Sequence, residues 1–334
     1  MTNVFMFSGQ GAQYFQMGRV LFEKNHVFRD SMLDLDGVAR RLLGESIVGA
    51  LYETSKGISE IFDQIRLTHP AIFMVEYAMA RALISAGVMP GCLLGVSLGT
   101  FAASVVAGCL EPESALEMVI EHASAIEAEC PRGIMIAVLA PLSLAQENFL
   151  KDRCEVAAVN SDGHFVISAP QAHCQQIERD LLERRVTFVR LPVHYAFHSR
   201  WIEPAKARLE ASSLHLSCKP VSLPIVCCQR AALLPEVSSA HLWAVTREPI
   251  RFRESVAILA VGSANRYIDV GPSGSLAVLL KHSLTTLARS SIYSVMTPYG
   301  RDMENFALVT AREQERYHET EIWPSCHREQ GAKA

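Results

Sequence analysis

Apolar residues along this chain come in short unbroken runs closed by glycine-rich turns, the pattern of strands buried on both faces and helices packed all round. Val4, Phe5, Met6 and Phe7 form the first run and predict a buried strand, ended by Gly9-Gln10-Gly11-Ala12-Gln13. Helical character follows over 17–25. Residues 71–86 are apolar on most faces and rich in Ala and Met, which predicts a buried helix stopped by Gly87 and Pro90. A short apolar strand at 92–95 runs through Val96-Ser97-Leu98-Gly99 into a second buried helix at 100–107, with Gly108 as its C-cap. A further helix is expected over 112–129.

The texture changes after Cys130-Pro131-Arg132-Gly133. A strand at 134–139 and a polar-faced helix at 142–152 are expected first. A hairpin follows, with strands at 156–160 and 165–168 around the turn Ser161-Asp162-Gly163-His164. An amphipathic helix at 170–185 and a strand at 187–191 complete a β-α-β-β-α-β unit, the ferredoxin-like pattern. Beyond it we expect helices at 203–212, 252–259 and 276–281 and strands at 221–227 and 267–270. From about 311 the residues are mostly Arg, Glu, His and Gln, which predicts a frayed or loosely packed tail. The fold class is therefore α/β. Residues 1–130 and 197–295 are expected to form a hydrolase-like large subdomain on a parallel sheet. Residues 131–196 would be an inserted ferredoxin-like small subdomain, and 296–334 a C-terminal helix or tail.

Composition narrows the function. Of 334 residues, 49% are hydrophobic and 20% charged, which excludes a disordered chain and leaves enough apolar surface for a sizeable core. Net charge is −4, from 31 basic and 35 acidic residues, so nothing electrostatic points to nucleic acid or an anionic membrane. The apolar run at 101–110 contains Ser104 and Gly108 and falls short of the roughly 20 residues of a membrane span. The start of the chain lacks the charged flank and long apolar region of a signal peptide. Nine cysteines form no CxxC, and Cys227-Cys228 is too tight for a zinc knuckle. The expectation is a soluble cytoplasmic protein with reduced thiols and no metal.

Gly95-Val96-Ser97-Leu98-Gly99 matches G-x-S-x-G between an apolar strand and an apolar helix. That turn is sharp, so the positions two residues either side of the serine must be small. It lifts the serine oxygen out of the sheet at a helix N-terminus. A serine hydroxyl needs a base. Among twelve histidines, His215, His241, His318 and His327 sit in polar or irregular segments and read as surface. His198, in Tyr195-Ala196-Phe197-His198-Ser199, lies where the chain re-enters the large subdomain, and His194 competes with it. Asp152, Asp162 and Asp180 precede the histidine, but all fall in the insertion.

Five motifs in order resemble the malonyl-CoA:acyl carrier protein transacylase family, which includes the acyltransferase domains of polyketide synthases. They are Phe7-Ser8-Gly9-Gln10-Gly11-Ala12-Gln13, Gly95 to Gly99, Asn160-Ser161, Ala196-Phe197-His198-Ser199 and Asp269-Val270-Gly271-Pro272-Ser273-Gly274. The resemblance covers about residues 3–295. It implies Ser97 as nucleophile and His198 as its base, oriented by a main-chain carbonyl that the match of Glu248-Pro249-Ile250-Arg251 gives to Arg251. It implies an oxyanion hole from the main-chain N–H groups of Gln10 and Leu98, and Asn160 supporting the site from the small subdomain.

The departures carry the substrate question. Relatives that use malonyl-CoA hold its free carboxylate with an arginine on the helix after the elbow, through two parallel hydrogen bonds. The corresponding position here is His122, and 112–129 contains no arginine. A neutral imidazole cannot offer that fork, which lowers preference for a dicarboxylic acyl group by about ten- to a hundredfold. Arg132 is the one candidate substitute. Val96 replaces the usual His of the elbow, Thr100 the usual Glu after it, and Tyr195 stands where malonyl-specific relatives often have His. These features, with Thr68-His69-Pro70, resemble the free-standing acyltransferase-like enzymes of polyketide synthases. Val96, His122, Asn160, Tyr195 and Phe197 are the expected substrate-binding residues.

The resemblance implies an acyl carrier protein hydrolase that clears acyl groups through an acyl-serine ester. The alternative is a trans-acting acyltransferase moving a malonyl or other acyl unit from coenzyme A or a carrier protein to a carrier protein. A docking protein with a vestigial site is the third reading, disfavoured by the intact Ser97 and His198. The implied partner is an acyl carrier protein, with Arg200, Arg247, Arg251 and Arg253 as candidates for its docking; acyl-CoA is a possible donor. No cofactor is expected, since phosphopantetheine belongs to the substrate.

Overall fold

Two sheets divide the chain, as seen in a computed structural model that describes residues 1–213, 216–261, 264–283 and 290–322. His215, His327 and the end of the tail lie outside the described residues, as does the side chain of His318. The strands are β1 (Thr2–Phe7), β2 (Cys92–Gly95), β3 (Gly133–Leu139), β4 (Glu155–Ser161), β5 (His164–Pro170), β6 (Thr187–Arg190), β7 (Ile225–Cys227), β8 (Ala232–Leu233), β9 (Asn265–Asp269) and β10 (Ser291–Ser294).

The larger sheet runs β10-β9-β1-β2-β7-β8. All its pairings are parallel except β7 with β8. Its centre is covered on both faces, which is why β1 reads as one apolar run rather than an alternation. Phe5 and Phe7 point into one core with helices Ile65–Ser85 and Gly99–Val106; Val4 and Met6 point into another with Phe252, Val256 and Leu276. Burying those side chains stabilises the sheet by roughly 1.5–3 kcal/mol each. The register sets Phe7 opposite Gly95 and Met6 opposite Asp269. The carboxyl ends of β1, β2 and β9 therefore finish together, where ligands bind in open α/β sheets.

The smaller sheet is antiparallel, in the order β4-β5-β3-β6. Helix Cys174–Glu183 packs Ile177 and Leu181 against Ile136, Phe165 and Ile167. The expected helix over 142–152 is reduced to one 3-10 turn, Leu142–Gln146. Glu147 turns extended (ψ 145°), the turn former Asn148 follows, and Phe149 and Leu150 drop into the small core.

Helix Pro112–Glu129 has the expected bounds, and helix Ile65–Ser85 starts six residues before the expected 71, with Pro70 inside it. Helix His26–Leu43 was not anticipated, although Phe28, Met32, Leu35, Val38 and Ala39 repeat at helical spacing. Within the segment expected as a C-terminal helix or tail lies helix Asp302–Ile322, anchored by buried Phe306 and Val309 and by a buried ion pair from Arg266 to Glu313 at 2.6 Å.

Candidate active site

The elbow is built by exclusion of side chains. A Cβ on Gly99 would lie 2.3 Å from the carbonyl oxygen of Phe7, and one on Gly95 would lie 2.8 Å from Cα of Thr100. Only glycine fits either place. Between them Ser97 takes φ 52°, the left-handed region that non-glycine residues rarely adopt. Gly99 and Thr100 then donate to the carbonyls of Val96 and Ser97, so the helix begins at the serine.

Ser97 Oγ lies 2.8 Å from Nε2 of His198. On the other side of the ring, Nδ1 lies 2.9 Å from the carbonyl oxygen of Glu248. A carbonyl only accepts, so Nδ1 carries the proton and Nε2 is left free to accept the serine's. The orienting carbonyl is thus that of Glu248, not Arg251. The oxygen of Arg251 accepts instead from N and Oγ of Ser255, one turn into helix Phe252–Leu259. Glu248 follows helix Ser239–Arg247 as its C-cap, and an unsatisfied terminal carbonyl aimed at the ring is what that position supplies. His198 also takes a positive φ, 59°, and donates its own N–H to Thr246. Burial holds its pKa down, at about 4, with Arg247 acting in the same direction.

The loop after β1 packs onto the serine. A Cβ on Gly9 would meet Cβ of Ser97 at 3.0 Å. Ser8 is tied by N and Oγ to Oε1 of Glu76, at 2.6 and 2.7 Å. Glu76 is fully buried, and burial raises its pKa well above the usual carboxylate range. The Gln10 side chain donates to Thr68 at 3.0 Å. Among the described residues no hydrogen bond uses the main-chain N–H of Gln10 or Leu98.

These groups open onto one cavity of about 480 Å³. Val96, Ser97, Leu98, Gln10, His122, Asn160, Phe197 and His198 all line it, drawn from both subdomains. Among the described residues no Lys, Arg, Asp or Glu does. Tyr195 is a correction: it lines a neighbouring hollow with Asp63, Glu127 and Arg132, whose guanidinium sits 5.1 Å from the tyrosine ring centroid. Arg132 is therefore not a substitute clamp in the Ser97 cavity. His194, the competing base, pairs with Asp63 at 2.7 Å in that same hollow.

His122 is buried, edge-on to Phe101, with Nδ1 3.3 Å from Thr246 Oγ1. Burial lowers its pKa to about 4. Beside it stands His69, whose pKa falls to about 3 through burial and then His122. His69, which no local pattern in the sequence marks as a site residue, lines the same cavity with Thr246, Phe101 and Met135. Arg200, Arg247, Arg251 and Arg253 are paired to Glu155, Glu203, Glu254 and Asp162. Among the described residues, no group of three or more His, Cys, Asp or Glu is placed to hold a metal, and no helix is long and apolar enough to cross a membrane.

An elbow serine, a neutral imidazole and a main-chain carbonyl can together open a thioester. Residues 4–324 match the acyl transferase domain family. The chain belongs to that family. It is 39% identical over 307 residues to the polyketide biosynthesis acyltransferase homolog PksD of Bacillus subtilis (strain 168), covering 92% of this chain and 95% of the relative. It is 38% identical over the same coverage to the homolog BaeD of Bacillus velezensis. Among solved members of the family, the acyltransferase domain from the second module of the salinomycin polyketide synthase superposes with a TM-score of 0.83. That match has 28% identity and covers 97% of this chain and 78% of the other. The MCAT of Streptococcus pneumoniae gives 0.76 at 25% identity, over 92% and 99%. The family's large α/β and small ferredoxin-like subdomains correspond to the two sheets here.

Proposed function

We propose that this chain is an acyltransferase of polyketide biosynthesis that takes uncharged acyl groups from thioesters onto Ser97 and passes them to an acyl carrier protein. The observation behind it is the Ser97–His198–Glu248 relay set in a cavity that, among the described residues, no Lys, Arg, Asp or Glu lines. Ser97 Oγ attacks the thioester carbonyl as its proton moves to Nε2 of His198. Imidazolium forms while Nδ1 stays bonded to the Glu248 oxygen. The N–H groups of Gln10 and Leu98 meet the oxyanion. The sulfur leaves with the proton from Nε2, and acyl-Ser97 remains. A carrier thiol then attacks the ester and gives its proton to Nε2 of His198; the acyl–Oγ bond breaks and Nε2 returns that proton to the departing Oγ, restoring Ser97 and neutral His198. Asn160 borders this chemistry from the small subdomain. No cofactor takes part; the phosphopantetheine arm arrives with the substrate, from a carrier protein or coenzyme A in the cytoplasm.

A second reading replaces the acceptor thiol by water, making the chain an acyl carrier protein hydrolase. It is favoured by the lack of a Lys or Arg among the described lining residues: an acyl group held without a charged partner is not locked in the geometry a carboxylate clamp imposes. Intact mass spectrometry of carrier proteins loaded with acetyl, butyryl or malonyl separates the readings. Transfer moves the acyl mass to a second, unloaded carrier; hydrolysis returns free thiol on the first with no gain on the second. Uptake of malonyl from coenzyme A as fast as butyryl sinks the uncharged-acyl reading. Activity surviving Ser97→Ala refutes both.

A further inference from the structure

His69 faces the Ser97 cavity with neither ring nitrogen hydrogen-bonded to any described residue. It is only 4% exposed. A buried polar group without a bond is costly and uncommon, and it calls for an account. Its ring packs against Phe197, centroids 5.4 Å apart, which leaves the nitrogens unengaged by that contact. His122 does not fill the gap: neither His69 nitrogen bonds to it, and its Nδ1 faces Thr246 Oγ1 at 3.3 Å. Two other unpartnered atoms line the cavity, Ser273 Oγ and His164 Nε2, but both belong to residues that are only part-buried.

A neutral imidazole has one N–H to donate and one nitrogen to accept. A plain hydrocarbon chain satisfies neither. A keto oxygen accepts only, and a carboxylate brings a charge that no Lys or Arg among the described lining residues balances. A hydroxyl both donates and accepts, so it suits either tautomer. The ring of Phe197 packs against His69, and Phe101 and Met135 add apolar surface to the same cavity.

We propose that His69 reads a hydroxyl on the acyl chain carried by Ser97, so that hydroxyacyl thioesters are the preferred substrates. This rests on the acyl-Ser97 reading above. A site built to bond a hydroxyl discriminates against the analogue that lacks it, because its own polar group is then left stranded.

The test compares butyryl- and β-hydroxybutyryl-carrier protein as substrates of the intact chain, reading kcat/KM for thioester consumption. The hydroxyacyl substrate is consumed about tenfold faster in the native protein, the effect of one buried hydrogen bond. In His69→Leu that ratio falls to near one, and in His69→Gln, whose amide also donates and accepts, most of it remains. Equal rates for the two substrates in the native protein overturn the proposal without needing a variant, and they leave the acyl-Ser97 reading standing. A ratio that persists in His69→Leu also overturns it. If neither thioester is consumed, both readings fall together.

Discussion

The main-chain oxygen of Glu248 lies 2.9 Å from Nδ1 of His198, in the place where a serine hydrolase triad would put a carboxylate. A carbonyl orients the ring and fixes its tautomer but brings no full negative charge, so it does little to hold a proton on the imidazole. The histidine stays neutral, with its free nitrogen 2.8 Å from Ser97 Oγ.

Neutrality predicts the pH profile. Burial depresses the His198 pKa from 6.5 to about 4, and the active form is the deprotonated one. Activity is therefore lost as pH falls through about 4, and kcat/KM is expected to be flat from about 5.5 to 8. A steady-state profile checks this; a half-maximum near 6.5 would show that the ring is not buried in the working enzyme.

Replacing the base has a defined cost. His198→Ala should lower the rate of Ser97 acylation by about a hundred- to ten-thousandfold, the range of general base catalysis. Rapid-quench mass spectrometry reads it directly.

The loop that carries Gln10 depends on Glu76. Burial pushes its carboxyl pKa well up and disfavours the charged form, so Glu76→Gln, neutral and of similar shape, should keep Oε1 in place for Ser8 and leave the melting temperature within a few degrees. Glu76→Leu strands the Ser8 donors and should destabilise by about 1–3 kcal/mol while lowering kcat. Thermal melts alongside kinetics distinguish the two variants; an equal loss in Gln and Leu would mean that charge, not hydrogen bonding, matters at this position.

An added cation should redirect the cavity. His122→Arg places a guanidinium among the lining residues, and malonyl acylation relative to butyryl should rise about ten- to a hundredfold. Competition between the two thioesters gives the ratio, and no change would mean that the acyl group does not reach this helix.

The elbow tolerates no methyl at Gly99. A Cβ 2.3 Å from a backbone oxygen cannot be relieved by a side-chain rotation, so Gly99→Ala should cost about 2 kcal/mol or more. Chemical denaturation measures it; a stability change under about 0.5 kcal/mol, the ordinary surface range, would contradict the packing.

Much of this was legible in the residues. Ser97 sat between glycines at a strand-to-helix change, a local pattern, and the loops around Gln10, Asn160 and His198 formed an ordered set. Helix Pro112–Glu129 was bounded by its own Pro and by Cys130-Pro131. Elements whose state depends on distant contacts were not legible. The 142–152 segment has helical composition but gives up its helix to plug Phe149 and Leu150 into the small core. The polar C-terminal helix is anchored through Arg266, 47 residues away from Glu313 along the chain.

By itself the sequence determined the α/β class, the two-sheet plan and the elbow serine, because periodicity and turn chemistry act over a few residues; His198 was singled out over His194 only by the resemblance of the ordered motifs. Only the tertiary structure decided which carbonyl holds His198, that Tyr195 and Arg132 face another hollow, and that His69 joins His122 in the Ser97 cavity. Those are matters of direction. A main-chain oxygen carries no side-chain signature, and where a ring points depends on the packing of helices far apart in the chain.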